Sequence, residues 1–404
     1  MSRYKSYTMK YNLAITSTLL TLILFCISGC SHKIEVYELD QPQRRPLVCN
    51  PKVKVFMENS GSMDGYMTEG SMLKDAVYSY IIDLMPLSDT IELNYINSRI
   101  IPFKGTTKQY IKALNPGSFK KYGGDRSNSD LSNILDSVLM QTSDSTICIF
   151  ISDCILDLPG TDASKFLNNC KISIKESVTN AKNRVHNLGI EILKMESDFN
   201  GNYYYQNGCV EKICGLTRPY YIWIIGDSKV LASINKETPI LNLKKYGLRE
   251  MVSFVCGFNP SFTVLNDAGA SKIITPRNGN YFVTIKANLG ESLQPEDVLL
   301  NKDNYSFFSP NISIKSIQRV AANDAMHTHC ITICVPENTN NMEDNLVLTV
   351  SKLPRWVSAT NDSTGRNIRL NHSKTTGIQY IIEGVNEAFK KQAVASLKFG
   401  IKRI

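Results

Sequence analysis

Histidine and tryptophan are scarce in this chain, at five and two of 404 residues. His32 precedes any recognisable fold element, and His327, His329 and His372 lie far towards the C-terminus. A serine nucleophile in the N-terminal half therefore has only His186 to serve as its base. The Gly-x-Ser-x-Gly turn of many hydrolases fails at Ser62, because Ser60 stands where the first glycine belongs. Charge of one sign is lacking too. Lys and Arg number 45 against 37 Asp and Glu, a formal +8 that becomes +5 once Arg3, Lys5 and Lys10 leave with an N-terminal leader. So weak and dispersed a charge gives no case for a nucleic-acid partner. No internal repeat or low-complexity tract is evident. Charged residues at 20% and apolar residues at 43% are ordinary for a globular protein. A length of 404 residues exceeds one ordinary core and predicts two domains.

The leader sets the compartment. Arg3, Lys5 and Lys10 form a basic start, Leu13 to Ile27 is a mostly apolar run, and Ile27-Ser28-Gly29-Cys30 follows. A basic start, a short apolar core and small residues at a cut site describe a secretory signal peptide over residues 1–29. Its end resembles a bacterial lipobox, which implies Cys30 as the lipidated first residue of the mature chain. The alternative is a plain N-terminal membrane anchor. Both readings put the remaining chain outside the cytoplasm, at a bacterial cell envelope and attached to the membrane. Residues 30–50, with Pro42 and Pro46 and no apolar period, read as a tether. About twenty such residues reach roughly 65 Å when extended.

Eleven cysteines become nine without Cys26 and Cys30, and an odd number cannot all pair within one chain. Cys209 and Cys214, flanked by Gly208 and Gly215 in an expected loop, are the best local disulfide candidates. Cys148 and Cys154 sit in or beside an apolar strand and read as buried thiols. Cys330 and Cys334, about 13 Å apart along an extended strand, are too distant to bridge each other.

Between about 51 and 236 strands and helices alternate. Val53–Met57, Ile91–Ile96, Thr146–Ser152, Ile190–Met195 and Tyr220–Ile225 read as strands. Met72–Met85, Leu131–Met140 and Ser173–Leu188 read as helices, the last ending on Gly189 as a C-cap. Such alternation predicts an α/β fold, doubly wound around a mostly parallel sheet.

The stretch Val53-Lys-Val-Phe-Met-Glu-Asn-Ser-Gly-Ser-Met-Asp-Gly-Tyr66 carries the chemistry. Glu58, Ser60 and Ser62 place oxygen donors at alternate positions of a loop that ends a strand. Oxygen donors gathered in this way suit a hard cation, and loops at the carboxyl ends of strands are where open α/β sheets hold ligands. The stretch resembles the first loop of the metal-ion-dependent adhesion site of von Willebrand factor A (VWA) domains, usually Asp-x-Ser-x-Ser. Two further loops extend the resemblance. Ser129-Asp130-Leu131-Ser132 matches a family Thr-Asp-Leu-Ser, with Ser129 keeping the hydroxyl. Ser152-Asp153 matches a Ser-Asp pair, with Cys154 where the family has glycine.

The resemblance implies a divalent cation, Mg2+ first and Mn2+ or Ca2+ next, with Ser60, Ser62 and Ser129 as direct ligands. Glu58 and Asp153 would then supply charge. Glu58 departs from the family's Asp by one methylene, which leaves direct ligation and crowding both open. A degenerate loop is the alternative for the same residues, with Ser60 and Ser62 as turn and cap residues. The family's way of working is ligand capture, not catalysis: a protein partner's carboxylate fills the cation's open position. Tyr66 and Met67 would form an apolar rim or pack on the sheet.

Asn235–Tyr246 reads as a connector, and residues 247–404 as a β-rich domain, sandwich-like or α+β, with one late helix over Gly377–Phe389. His327-Thr328-His329 resembles a metal cluster, but no neighbouring acid in sequence completes it. A metal-assisted hydrolase using Asp153 and Asp157 would want more carboxylates than these. The expected function is therefore binding, either through a cation or as an inert scaffold of an envelope assembly.

Overall fold

The computed structural model describes residues 32–39, 50–127, 130–159, 162–205, 207–321, 323–350, 352–390 and 392–404. The signal peptide, Cys30, residues 40–49 of the expected tether and the expected ligand Ser129 lie outside the described residues.

The first strand, β1 (Ile34–Glu38), falls inside that tether and corrects it. Ile34 and Val36 alternate with Glu35 and Tyr37, so one face of the segment is apolar. Both residues are fully buried, because the segment pairs antiparallel with the chain's last strand.

Seven strands then form one sheet: β2 (Lys52–Glu58), β3 (Thr90–Ile96), β4 (Ile100–Pro102), β5 (Thr146–Ser152), β6 (Leu188–Tyr204), β7 (Val210–Asp227) and β8 (Leu248–Ser253). Their order is β4-β3-β2-β5-β7-β6-β8. The sheet is mixed, not mostly parallel. Only β2–β3 and β2–β5 pair in parallel, and the other four pairings are antiparallel. The cause is connectivity: β6 and β7 join through a short turn, and a hairpin is antiparallel by construction. Apolar strand patterns carry no record of direction.

Both faces of this sheet are buried, which is why its strands read as unbroken apolar runs. Val53, Val55, Ile149 and Ile151 pack with Leu73, Val77 and Ile81 of α1 (Met72–Leu84). Phe56, Cys148 and Phe150 face α2 (Leu131–Met140) and α3 (Ala163–Arg184) through Ile134, Val138, Ile174 and Val178. The α2 helix starts on Asp130, whose carboxylate accepts from Ser132 N and Asn133 N. The α3 helix begins ten residues earlier than expected and ends before Gly189. That glycine is no cap: it lies in β6, where a Cβ would meet Ser228 Oγ at 2.7 Å. Helix α4 (Ser228–Glu237) and a 3-10 turn (Ile240–Tyr246) replace the expected connector, with Ile240 and Leu243 buried.

The C-terminal half is β-rich, as expected. Its strands are β9 (Phe262–Asn266), β10 (Ile273–Ile274), β11 (Asn280–Ala287), β12 (Tyr305–Ser306), β13 (Ser313–Arg319), β14 (His329–Pro336), β15 (Met342–Thr349), β16 (Asn361–Asp362), β17 (Thr375–Thr376) and β18 (Ala393–Arg403). Two antiparallel sheets result, β10-β1-β18-β15-β12 and β13-β14-β11-β9. The division near residue 240 is not clean. β8 completes the first sheet, and helix α5 (Ile378–Phe389) lies along α3, with Lys171 pairing Glu387 at 3.3 Å and Phe389 stacked on Phe254 at 5.4 Å. One apolar cluster joins Phe150, Val178 and Ile381 to Val36, Ile285 and Leu397.

Two outcomes follow from this packing. Replacing Ile34 by Ala should cost about 2–5 kcal/mol in urea unfolding, whereas a residue of a free tether would cost nothing. Glu191, 1% exposed on β6, has burial pushing its carboxyl up to about 8, partly offset by Asn235 Nδ2 donating at 2.6 Å. The folded state therefore binds the proton more tightly than the unfolded chain, so stability is full below the unfolded value of 4.5 and falls as pH rises through about 8. The melting temperature of wild type should fall across that window, and Glu191→Gln should remove most of the fall.

Candidate functional site

Because β3, β2 and β5 are parallel and in register, their carboxyl ends meet at one edge of the sheet. Glu58 stands opposite Ile96, and Met57 opposite Ile151. The loop after β2 and the loop after β5 are thereby brought together, although about 90 residues separate them in sequence.

In the first loop, Ser60 Oγ and Ser62 Oγ lie 3.0 Å apart. Residues Ser62–Tyr66 form a 3-10 turn. In the second, Asp153 is 2% exposed and lies close to Ser62, with Ile155 N donating to its Oδ1 at 3.4 Å. Its Oδ2 has no partner among the described residues. Burial pushes the Asp153 carboxyl up, while the charge of Arg218 and the nearby Ser62 hydroxyl hold it partly down. Glu58 joins this group through its Oε2, which accepts from Ser152 Oγ; that oxygen itself accepts from Cys154 N at 2.8 Å. Cys154 adopts the left-handed conformation, φ 53°, that favours the glycine expected there. Its thiol is fully buried, as is that of Cys148.

Ser60, Ser62 and Asp153 therefore fit a hard-cation site. Two neutral hydroxyls converge with a buried carboxylate that retains an unsatisfied oxygen. Glu58 is tied to the same group through Ser152. Tyr66 and Met67 are fully buried and pack inward, forming no rim.

Three features were invisible in the sequence. Arg126 clamps the first loop, donating from Nε to Asn59 Oδ1 at 2.8 Å and from Nη2 to Ser60 O at 3.1 Å and to Asp64. Arg218, 1% exposed, lies beside Asp153 between the rings of Phe199 and Tyr203, at 4.9 and 5.0 Å. Its only signal was a charge at the head of the apolar run Pro219–Ile225. The third feature is the length of β6 and β7. Beyond the sheet, residues 197–204 and 210–218 continue as a two-stranded ribbon that rests on the motif turn. Tyr66 OH donates to Pro219 O at 2.6 Å, and its ring meets Phe199 edge-on at 4.9 Å. Residues 362–372 hold the ribbon from its other side through Arg369 Nε to Glu211 at 2.6 Å and Tyr203 OH to Gly365 O at 3.4 Å.

The ribbon also corrects the disulfide expectation. Cys209 and Cys214 are free, exposed thiols. Cys214 lies within β7 and Cys209 just before it, so extended backbone holds them about 16 Å apart. His327 and His329 each have an acid after all, Asp324 at 3.1 Å and Glu296 at 3.6 Å. No three His, Cys, Asp or Glu side chains gather as a metal group among the described residues. No family model matches this chain, and no curated protein matches it either.

The ribbon's seat depends on two glycines. A Cβ on Gly201 would stand 2.5 Å from Gly65 Cα and 2.8 Å from Gly65 N, both backbone atoms. Gly201→Ala should therefore lift the ribbon at a cost of about 1–3 kcal/mol. Hydrogen exchange should then quicken over residues 197–217 while the amides of β2 and β5 stay protected.

Proposed function

We propose that this chain is an exported, lipid-anchored binding protein of VWA type, which holds a protein partner through a divalent cation at the carboxyl edge of its seven-stranded sheet. One observation carries the reading: Ser60, Ser62 and Asp153, from two loops distant in sequence, converge where the buried Asp153 Oδ2 has no partner among the described residues. Ser129 belongs to the same site by resemblance, and Glu58 supplies charge. When bound, the cation supplies an electrophilic point for a partner's carboxylate. The chain's own residues do the remainder. Ser152 positions Glu58, Arg126 fixes the carbonyls of Asn59 and Ser60, and the ribbon excludes water from Ser60 and Asp153, which are 3% and 2% exposed. The leader places this activity at the bacterial envelope, with Cys30 as membrane anchor.

A hydrolase is the weaker reading. His186, the base that Ser62 would need, donates its backbone N–H to Asp144 at 2.8 Å, just before the amino end of β5. Ser62 sits at the opposite end of those strands.

Thermal unfolding of the purified protein tests the proposal. Saturating Mg2+ or Mn2+ should raise the melting temperature by roughly a few degrees, as for any ligand that binds only the folded state. EDTA should reverse the rise, and Ser62→Ala and Asp153→Asn should each abolish it. No rise with Mg2+, Mn2+ or Ca2+ would leave the inert scaffold as the better description.

A further inference from the structure

Arg218 is hard to explain as packing. Its Nε and Nη1 are buried and find no hydrogen-bond acceptor among the described residues. Two desolvated N–H donors without acceptors are costly, so the retention of Arg218 asks for an acceptor. The surroundings hold it in one orientation. Phe199 and Tyr203 flank the guanidinium at 4.9 and 5.0 Å. The pairing of Ser152 with Tyr221 carries β7 past the end of β5, which brings Arg218 alongside Asp153. The motif turn closes a third side, through Tyr66 OH on Pro219 O at 2.6 Å.

Asp153 does not satisfy this guanidinium, since its own Oδ2 stays unpartnered as well. A buried carboxyl and a buried guanidinium therefore lie near each other without forming an ion pair, each with unpartnered atoms. A cation on Ser60, Ser62 and Asp153 would complete the carboxylate and leave the guanidinium as it is. What completes a guanidinium with open N–H groups is an oxyanion, which a bidentate arrangement holds through Nη2 together with Nε or Nη1.

We infer that Arg218 is the anchoring half of the ligand site, taking the partner's carboxylate next to the cation held by Ser60, Ser62 and Asp153. The inference rests on the cation reading above and adds a linkage to it. By itself the guanidinium repels an incoming cation; with a carboxylate between them, the repulsion becomes a shared attraction. Cation and carboxylate then bind as a coupled pair, each raising the affinity for the other by the same factor. Arg218 rides on the ribbon that covers the site, so the ribbon must lift for the carboxylate to enter.

Titration calorimetry with Mn2+ tests this, with and without saturating acetyl-Gly-Asp-Gly-amide, and with the Asn tripeptide as control. For the wild-type protein the Asp tripeptide should tighten Mn2+ binding by about fivefold or more, and the Asn tripeptide should not. Arg218→Met should bind Mn2+ alone at least as tightly as wild type and lose the coupling. Removal of a buried unpaired charge is compatible with folding, and circular dichroism checks this. Arg218→Lys, which keeps the charge without the fork, should recover little of the coupling. Coupling retained in Arg218→Met overturns the inference while leaving the cation site standing. Coupling to a phosphoserine tripeptide in place of the Asp one overturns the carboxylate assignment. Absence of Mn2+ binding in both wild type and Arg218→Met removes the cation reading, and this inference with it.

Discussion

The parallel, in-register pairing of β2 with β3 and β5 is the constraint on which the molecule depends. Strands running the same way end at the same edge, so their following loops must meet there. Ser60, Ser62 and Asp153 all stand on that geometry. A slip of one residue in β2 would turn Val53, Val55 and Met57 away from α1 and bring Phe56 to their face. The apolar layers on both sides thus lock the register, and the register in turn sets Ser60 and Ser62 against Asp153.

Around that edge the chain gathers charge, and each charged group is handled differently. Arg126 is satisfied by the loop it clamps, through the carbonyls of Asn59 and Ser60 and the carboxylate of Asp64. Glu58 is engaged by Ser152. Asp153 and Arg218 are the pair left with open valence, and burial alone pushes Asp153 towards its neutral form. The ribbon made by β6 and β7 creates this desolvation. Its close approach needs glycine at both 65 and 201, where any larger residue would collide.

The two halves of the chain are bound by exchange of elements. β1 from the N-terminal side lies between β10 and β18 of a C-terminal sheet, and β8 and α5 from the C-terminal side complete and cover the first sheet. Residues 362–372 also grip the ribbon. Movement at the candidate site is therefore tied mechanically to the C-terminal half, whose β-rich architecture otherwise has no part in the site.

What the sequence determined by itself was local. The apolar runs of β2, β3 and β5, the helix over Leu131–Met140 and the loops that follow β2 and β5 were legible, because periodicity and turn composition are written in consecutive residues. The Ile34–Glu38 alternation was there as well, but five residues among prolines and charges read as a tether until their pairing partner was found some 360 residues away. Strand direction, the length of the ribbon, the free state of Cys209 and Cys214 and the burial of Arg218 were decided by tertiary structure alone. Each depends on which strand lies beside which, and a long-range hydrogen-bond ladder leaves no periodic trace in either of the segments it joins.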